Sequence, residues 1–323
     1  MADIKLLGDI GGTHARFALQ RDDDPAFESE AVYDCKDYPG ALEMVEHYLR
    51  ERTDETPQSA AIGIAAPVRG DRVEMTNLKW VFSIAAMKAS MGLQRLLVIN
   101  DFTALALALP VLDEDELRPV GDGVAAADAA WGLLGAGTGL GVGGLLPVPG
   151  GGYAAIAGEG GHATLAGGDD WENSVLAVLR REFGHVSAER ALSGPGIVNL
   201  YKACAEVAGE PFESLSGPAI SQRAKDKVDP LCVQAIGLFF KLLGSVAGNL
   251  ALTLGARRGV FIGGGIVPEL GDMIDNSEFR LRFTAKGRYE AYLAEIPTYV
   301  IDAKSPPALR GAAQALRQPA ERL

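Results

Sequence analysis

The sequence predicts an α/β protein of two related domains, and three observations predict it. Apolar strand segments alternate along the chain with segments of helical spacing. Two glycine-rich turns, each gripped between apolar strands, open what read as two halves. One is Leu6-Leu7-Gly8-Asp9-Ile10-Gly11-Gly12-Thr13, running into His14-Ala15-Arg16-Phe17. The other is Leu133-Leu134-Gly135-Ala136-Gly137-Thr138-Gly139-Leu140-Gly141, running into Val142-Gly143-Gly144-Leu145. The length of 323 residues is enough to bury a large core and favours two domains over one. No short period repeats, so the chain is not a solenoid.

Residues 4–20 read as a β-hairpin, and 31–33 add a short strand. Leu42, Val45, Tyr48 and Leu49 carry helical spacing within 42–50. Residues 60–66 form a small-residue buried strand stopped by Pro67, and Gly70-Asp71 turns the chain into 72–75. A continuous apolar strand, 96–99, ends in Asn100-Asp101; a helix over 102–109 follows and stops at Pro110. The polar, Gly- and Ala-rich stretch 112–130 reads as a crossover between domains. After the second hairpin, 170–183 and 199–207 read as helices, and a long helix starts at Leu231. A strand at 259–262 runs into Gly263-Gly264-Gly265-Ile266, and 299–302 is a late strand. The closing helix, 308–317, is expected to return to the first domain, which otherwise lacks cover.

A turn without Cβ atoms lets backbone N–H groups approach a phosphate closely, and a Thr hydroxyl adds a donor. Either turn alone reads equally as a hairpin with no ligand. Two in similar settings, with Gly263-Gly264-Gly265 after a third strand, point to two halves acting on one polyphosphate. The third cluster opens a helix whose free N–H groups suit an anion or an adenosine edge. No GxxxxGK[ST] occurs, which excludes a P-loop. Gly139, Gly141 and Gly144 match GxGxxG, but Leu145-Leu146-Pro147 follows where a dinucleotide site needs a helix.

Asn100-Asp101, at the carboxyl end of a buried strand, reads either as a helix cap or, beside phosphate turns, as the acceptor of a substrate hydroxyl proton. Gly158-Glu159-Gly160-Gly161-His162 holds two ionisable side chains that bind hydroxyls, and reads equally as a surface turn. Ser187-Ala188-Glu189-Arg190 reads first as a helix start, where an acidic residue suits the macrodipole. His14, His47, His162 and His185 lack HExxH or HxxEH spacing, and no GxSxG elbow is present. Trp80 and Trp131 are expected in the core.

Hydrophobic residues at 48% and charged residues at 22% are ordinary for a soluble globular protein. A net charge of −12 repels nucleic acid and anionic membranes at long range, so neither is expected as a partner. Cys35, Cys204 and Cys232 are scattered and odd in number, as expected of reduced thiols in a cytoplasmic protein. Met1-Ala2-Asp3-Ile4-Lys5 leads straight into a strand, with no basic leader. The apolar stretch 231–254 contains Gln234, Lys241 and Asn249 with Gly237, Gly244 and Gly248. It is expected as a buried helix whose glycines permit close packing.

Taken in order, GDIGGTHARFAL, TNLKWVFS (76–83), INDFTALALALP (99–110), GAGTGLGVG (135–143), GEGGHATLA (158–166), HVSAERALSGPGIVNLY (185–201) and GVFIGGGIVP (259–268) resemble the bacterial ATP-dependent glucokinase family, of the actin/hexokinase/sugar-kinase superfamily. The zinc-binding cluster of the related repressor/open-reading-frame/kinase branch is absent. The resemblance implies a ribonuclease-H-like fold of two domains with a cleft between them, 1–110 plus 302–323 forming the small domain and 111–301 the large one. It implies ATP-dependent phosphorylation of D-glucose at the C6 hydroxyl, the first step of glucose catabolism, in a cytoplasmic homodimer. By the resemblance Asp101 is the general base, and Asn100, Asp101, Glu159, His162 and Glu189 bind the sugar. Gly8, Asp9, Ile10, Gly11, Gly12 and Thr13 form the first phosphate turn, Gly137, Thr138 and Gly139 lie in the second, and Gly263, Gly264 and Gly265 face adenosine. ATP and Mg²⁺ are the implied cofactors, with Asp9 holding the metal through water. His14 stands where the family often has Asn, and Gly143-Gly144 are smaller than usual there. A kinase for another hexose and a catalytically silent sugar-binding regulator remain the alternatives.

Overall fold

A computed structural model describes residues 3–75, 78–303 and 305–318; Met1, Ala2, Thr76, Asn77, Lys304 and 319–323 lie outside the described residues, two of them in the TNLKWVFS stretch. The first part of the chain forms β1 (Ile4–Ile10), β2 (His14–Arg21), β3 (Glu28–Asp34), α1 (Ala41–Arg52), β4 (Ser59–Ile64), β5 (Arg72–Glu74), β6 (Val81–Ser83), α2 (Ile84–Ser90), β7 (Arg95–Asn100) and α3 (Asp101–Ala108). The middle forms β8 (Leu117–Pro119), β9 (Trp131–Ala136), β10 (Leu140–Pro147), β11 (Tyr153–Gly158), α4 (Asp170–Phe183), α5 (Gly194–Ala208), α6 (Gly217–Lys225) and α7 (Pro230–Leu254). The last part forms β12 (Gly259–Gly263), α8 (Ile266–Leu270), α9 (Phe279–Thr284), α10 (Glu290–Ala294), β13 (Thr298–Ile301) and α11 (Pro307–Arg317). Contacts divide the chain into two compact units: residues up to 112 with 148–157 and those from 303 on, and residues 113–147 with 158–302.

In the first unit the sheet runs β3-β2-β1-β4-β7. β1 is antiparallel to β2 and parallel to β4, and β4 is parallel to β7. Strands covered on both faces read as unbroken apolar runs, which is the pattern of β4 and β7. One face carries Phe17, buried with Met44 and Tyr48 of α1. The other presents Leu7, Ala18 and Ala61 to Leu309, Ala312 and Ala313 of α11, the cover the sequence required. α11 packs closely on α3, because a Cβ at Gly311 would stand 1.6 Å from the Ala104 carbonyl oxygen. Gly311→Ala is therefore expected to lower stability by about 1–3 kcal/mol or more, read as a fall in the urea midpoint. An unchanged midpoint would show that the helices part at little cost.

In the second unit β10-β9-β12-β13 repeat the order of β2-β1-β4-β7, and β8 adds a strand beside β13. β9 is antiparallel to its hairpin partner β10 and parallel to β12, and β12 is parallel to β13. Trp131, Phe261 and Tyr299 stack across one face of β9, β12 and β13, and Trp131 and Trp80 are both buried. α7 runs through the core on the other side, burying Phe239, Phe240, Leu242 and Leu243. Its length and apolarity would suit a membrane, but the apolar surface is consumed by packing. Two of its glycines admit α9: a Cβ at Gly244 would lie 2.2 Å from the Phe279 oxygen, and one at Gly248 2.4 Å from that of Phe283. Gly237 faces open space, so the packing role expected of it does not hold.

Three further expectations are corrected. The 112–130 crossover contains β8, which pairs antiparallel with β13, so it extends a sheet. The helix expected from 199 starts at Gly194, where Ser193 Oγ caps it by accepting the Gly196 N–H at 3.0 Å. Ser187-Ala188-Glu189-Arg190 makes a single 3-10 turn, Ala188–Arg190, and no helix grows from it.

Candidate active site

At the end of β7 the Asn100 side chain stops the strand and starts α3. Its Oδ1 accepts the N–H groups of Phe102 at 2.9 Å and Thr103 at 3.3 Å, filling the orphan donors of the first turn. Asn100 is thus the cap, and Asp101 is the first helical residue, its own Oδ1 2.9 Å from the Phe102 nitrogen. A helix N-terminus favours a carboxylate. Burial works against it and, with the Asp9 carboxylate nearby, pushes the Asp101 pKa up to about 6. Asp101 therefore changes protonation close to neutral pH, as a proton acceptor should.

Asp9 reaches this place through the sheet register. Asp9 pairs with Gly63 and Gly63 with Ile99, while Ile10 pairs with Ile64 and Ile64 with Asn100. Gly63 keeps the neighbours close: a Cβ there would lie 3.2 Å from the Ala104 side chain and 3.7 Å from the Asp101 Cα. The Asp9 carboxyl is also raised above its ordinary range, first by burial, with the Arg16 guanidinium at 3.8 Å pulling it back. Gly63 and Arg16 escaped the sequence reading of the site. A glycine inside a buried strand was the available signal for a close backbone approach.

The first glycine turn is shorter than its motif. Gly8, Asp9 and Ile10 belong to β1, and Gly8 makes room for the Phe17 ring, which would lie 3.0 Å from a Cβ. Gly11, Gly12 and Thr13 form the turn itself, closed by the Gly11 N–H to the His14 oxygen at 2.9 Å. Cys35 braces it, donating its N–H to the Thr13 oxygen at 2.8 Å and its thiol to the Gly11 oxygen at 3.5 Å. His14, at the departure from the family pattern, pairs with Asp34 at 3.0 Å.

In the second unit the three remaining clusters converge. Nothing occupies the space of a Cβ at Gly137, so the protein's own packing does not demand that glycine. The Thr138 side chain is exposed. Gly264, at φ +80°, would set a Cβ 2.2 Å from the Ala136 oxygen, so both its conformation and its approach demand glycine. That contact brings Gly263-Gly264-Gly265 beside Gly137-Thr138-Gly139. Gly144, the other departure, is fixed by the hairpin, where a Cβ would lie 2.4 Å from the Trp131 oxygen.

Leu140, at the exit of this turn, joins Glu189 and the Gly160–His162 turn to it. Its N–H donates to Glu189 Oε2 at 2.9 Å, and its carbonyl oxygen would be 2.0 Å from a Cβ at Gly161. Gly161 belongs to the 3-10 turn Gly160–His162, which leaves Glu159 and His162 exposed. The Ala188 N–H to the Ala163 oxygen, at 2.9 Å, ties that loop to the turn bearing Glu189. Glu159, His162 and Glu189 are thus gathered around β10.

A glucokinase family profile matches residues 6–319. The glucokinase of Aromatoleum aromaticum is 53% identical over 313 residues, covering 97% of this chain and 94% of that protein. A solved glucokinase from an Antarctic psychrotroph superposes with a TM-score of 0.89 at 36% identity, covering 98% of this chain and 99% of that one. A ROK family glucokinase from Streptomyces griseus, solved in complex with glucose and AMPPNP, shares the fold with a TM-score of 0.65 at 18% identity, covering 98% of this chain and 100% of that one. These likenesses extend along nearly the whole chain and match the two-unit α/β architecture described above. This chain belongs to the glucokinase family.

Proposed function

We propose that the protein transfers the γ-phosphoryl group of ATP to the C6 hydroxyl of D-glucose, giving glucose 6-phosphate and ADP. The observation that carries this reading is the partly buried Asp101 carboxylate at the start of α3, just after β7, in a chain of the glucokinase family. Asp101 takes the hydroxyl proton as the sugar oxygen forms its bond to the γ-phosphorus and the bond to the ADP oxygen breaks. Asn100, Glu159, His162 and Glu189 hold the other sugar hydroxyls. The turns Gly11-Gly12-Thr13 and Gly137-Thr138-Gly139, each closed by the N–H of its first glycine, offer the backbone N–H groups of Gly12, Thr13, Thr138 and Gly139 and the two Thr hydroxyls to the phosphates, and Gly263, Gly264 and Gly265 lie towards adenosine. Such catalysis is mainly positioning and electrostatics.

Mg²⁺ suits Asp9: its partly buried carboxylate sits near a second one with a single guanidinium 3.8 Å away, a balance that a hydrated divalent cation would improve. When bound, the ion supplies charge neutralisation for the phosphates. The repeated strand order supports two ribonuclease-H-like halves, 1–110 with 302–323 forming the small domain and 111–301 the large one. The family resemblance extends to a cytoplasmic homodimer, which light scattering would test.

A sugar panel with ATP tests the activity: glucose is expected to give the highest kcat/KM and a 6-phosphate product. Turnover of only another hexose would move the specificity, and no turnover with any sugar would leave a binding protein. Because Asp101 must be ionised to accept a proton, kcat/KM is expected to fall as pH drops through about 6. A flat profile from pH 5 to 8 would remove Asp101 from the role of base.

A further inference from the structure

The second glycine turn has little to hold it from within. Its one internal backbone bond runs from the Gly137 N–H to the Gly139 oxygen at 2.9 Å. Two contacts hold it from outside. The Gly194 N–H donates to the Gly137 oxygen at 2.8 Å, and the Leu140 N–H donates to Glu189 Oε2 at 2.9 Å. The Glu189 carboxylate lies directly on the turn: a Cβ at Gly139 would be 2.4 Å from Oε2 and would displace this oxygen.

The backbone behind the carboxylate is itself fixed. The Glu189 carbonyl oxygen accepts the Ser193 hydroxyl at 2.8 Å, and the Ser193 oxygen in turn caps α5, whose first residue, Gly194, holds Gly137. A rigid frame therefore runs from the Glu189 turn to α5 and grips the glycine turn at both ends. The second carboxylate oxygen, Oε1, has no protein donor among the described residues.

We propose that Glu189 is a positioning residue for the nucleotide, holding the Gly137-Thr138-Gly139 turn through the Leu140 N–H while its other oxygen serves the sugar. This deepens the assigned reaction and rests on that reading for the sugar's place. A hydrogen bond to an ionised acceptor is stronger than a neutral one, and it fixes the end of the turn that the Gly194 contact does not reach. Occupancy of the two substrates is then coupled through one side chain, and the coupling is reciprocal.

The test is a calorimetric titration of the ATP analogue AMPPNP into the full-length protein without sugar, alongside glucose KM. Glu189→Ala is expected to weaken AMPPNP about tenfold or more. Glu189→Gln keeps a carbonyl oxygen for the Leu140 N–H and is expected to stay within about threefold of wild type for AMPPNP while raising glucose KM. That rescue would not follow from a residue that serves only the sugar. Gly139→Ala displaces the carboxylate from the other side and is expected to raise glucose KM as well as weaken AMPPNP. If Glu189→Ala does not fold, Glu189→Asp decides, since it keeps the charge and withdraws the oxygen by one methylene. AMPPNP affinity within twofold of wild type in the folded Ala or Asp variant would overturn the proposal. Failure of the wild type to phosphorylate glucose would sink the assigned activity and leave the AMPPNP comparison readable.

Discussion

Replacing Asp101 with Asn is expected to lower kcat at least ~100-fold with glucose still bound, since the amide keeps the shape but cannot accept the proton. The same variant is expected to be more stable at neutral pH. In the folded protein Asp101 titrates at about 6 against an ordinary 3.8, so the folded state holds the proton more tightly than the unfolded chain. Stability therefore falls as pH rises between those values, and above about 6 the penalty is complete, on the order of 2–3 kcal/mol. Asn removes the charge and keeps an oxygen for the Phe102 N–H. A higher Tm for the variant at pH 7, shrinking towards no difference below pH 4, is the expected pattern. Near wild-type kcat would reduce Asp101 to the first residue of a helix. Unchanged kcat with raised Tm would mean that its burial serves neither catalysis nor stability.

Breaking the pair Glu172–Arg282 is expected to have the largest effect on stability alone. Glu172, on α4, is fully buried; Oε1 lies 2.5 Å from Arg282 Nη1, and Oε2 accepts Nη2 at 3.0 Å and the Gly168 N–H at 2.6 Å. Arg282, on α9, lies across Gly168, where a Cβ would stand 1.9 Å from Nη2. Glu172→Ala strands a buried guanidinium and a backbone donor, so a loss of about 3–5 kcal/mol is expected. Arg282→Met strands the carboxylate, with a loss of similar size. Replacing both with apolar residues is expected to recover much of it, because neither charge is then left unpaired. Urea unfolding of the four proteins checks this; single losses under about 1 kcal/mol would show that water reaches the site.

Much of the architecture could be read from local pattern. The two hairpins, the strands at β4, β7, β9 and β12, and helices α4 and α7 follow from unbroken apolar runs or 3.6-residue spacing. Asp101 could be singled out because a carboxylate after a buried strand is a short-range feature. Short elements without periodicity escaped, although α2 and α6 carried usable signals: Ser83 caps the one, and Ser216 followed by Gly217-Pro218 opens the other.

By itself the sequence determined the order of the main strands and helices, the positions of the three glycine clusters and, through motif order, the family, and it singled out Asp101 as the candidate proton acceptor. Only the tertiary structure decided which glycines serve packing and which leave space open. Gly8 yields to Phe17, Gly264 to the Ala136 carbonyl and Gly139 to the Glu189 carboxylate, whereas Gly137 yields to nothing in the protein. It also decided that Asn100 is the cap, that burial, with the Asp9 carboxylate beside it, raises the Asp101 pKa, and that Glu189 holds Leu140 from 49 residues away. The reason is physical. Periodicity and turn chemistry act over a few residues and are written locally, whereas steric exclusion and charge proximity depend on distances set by sheet register and helix packing.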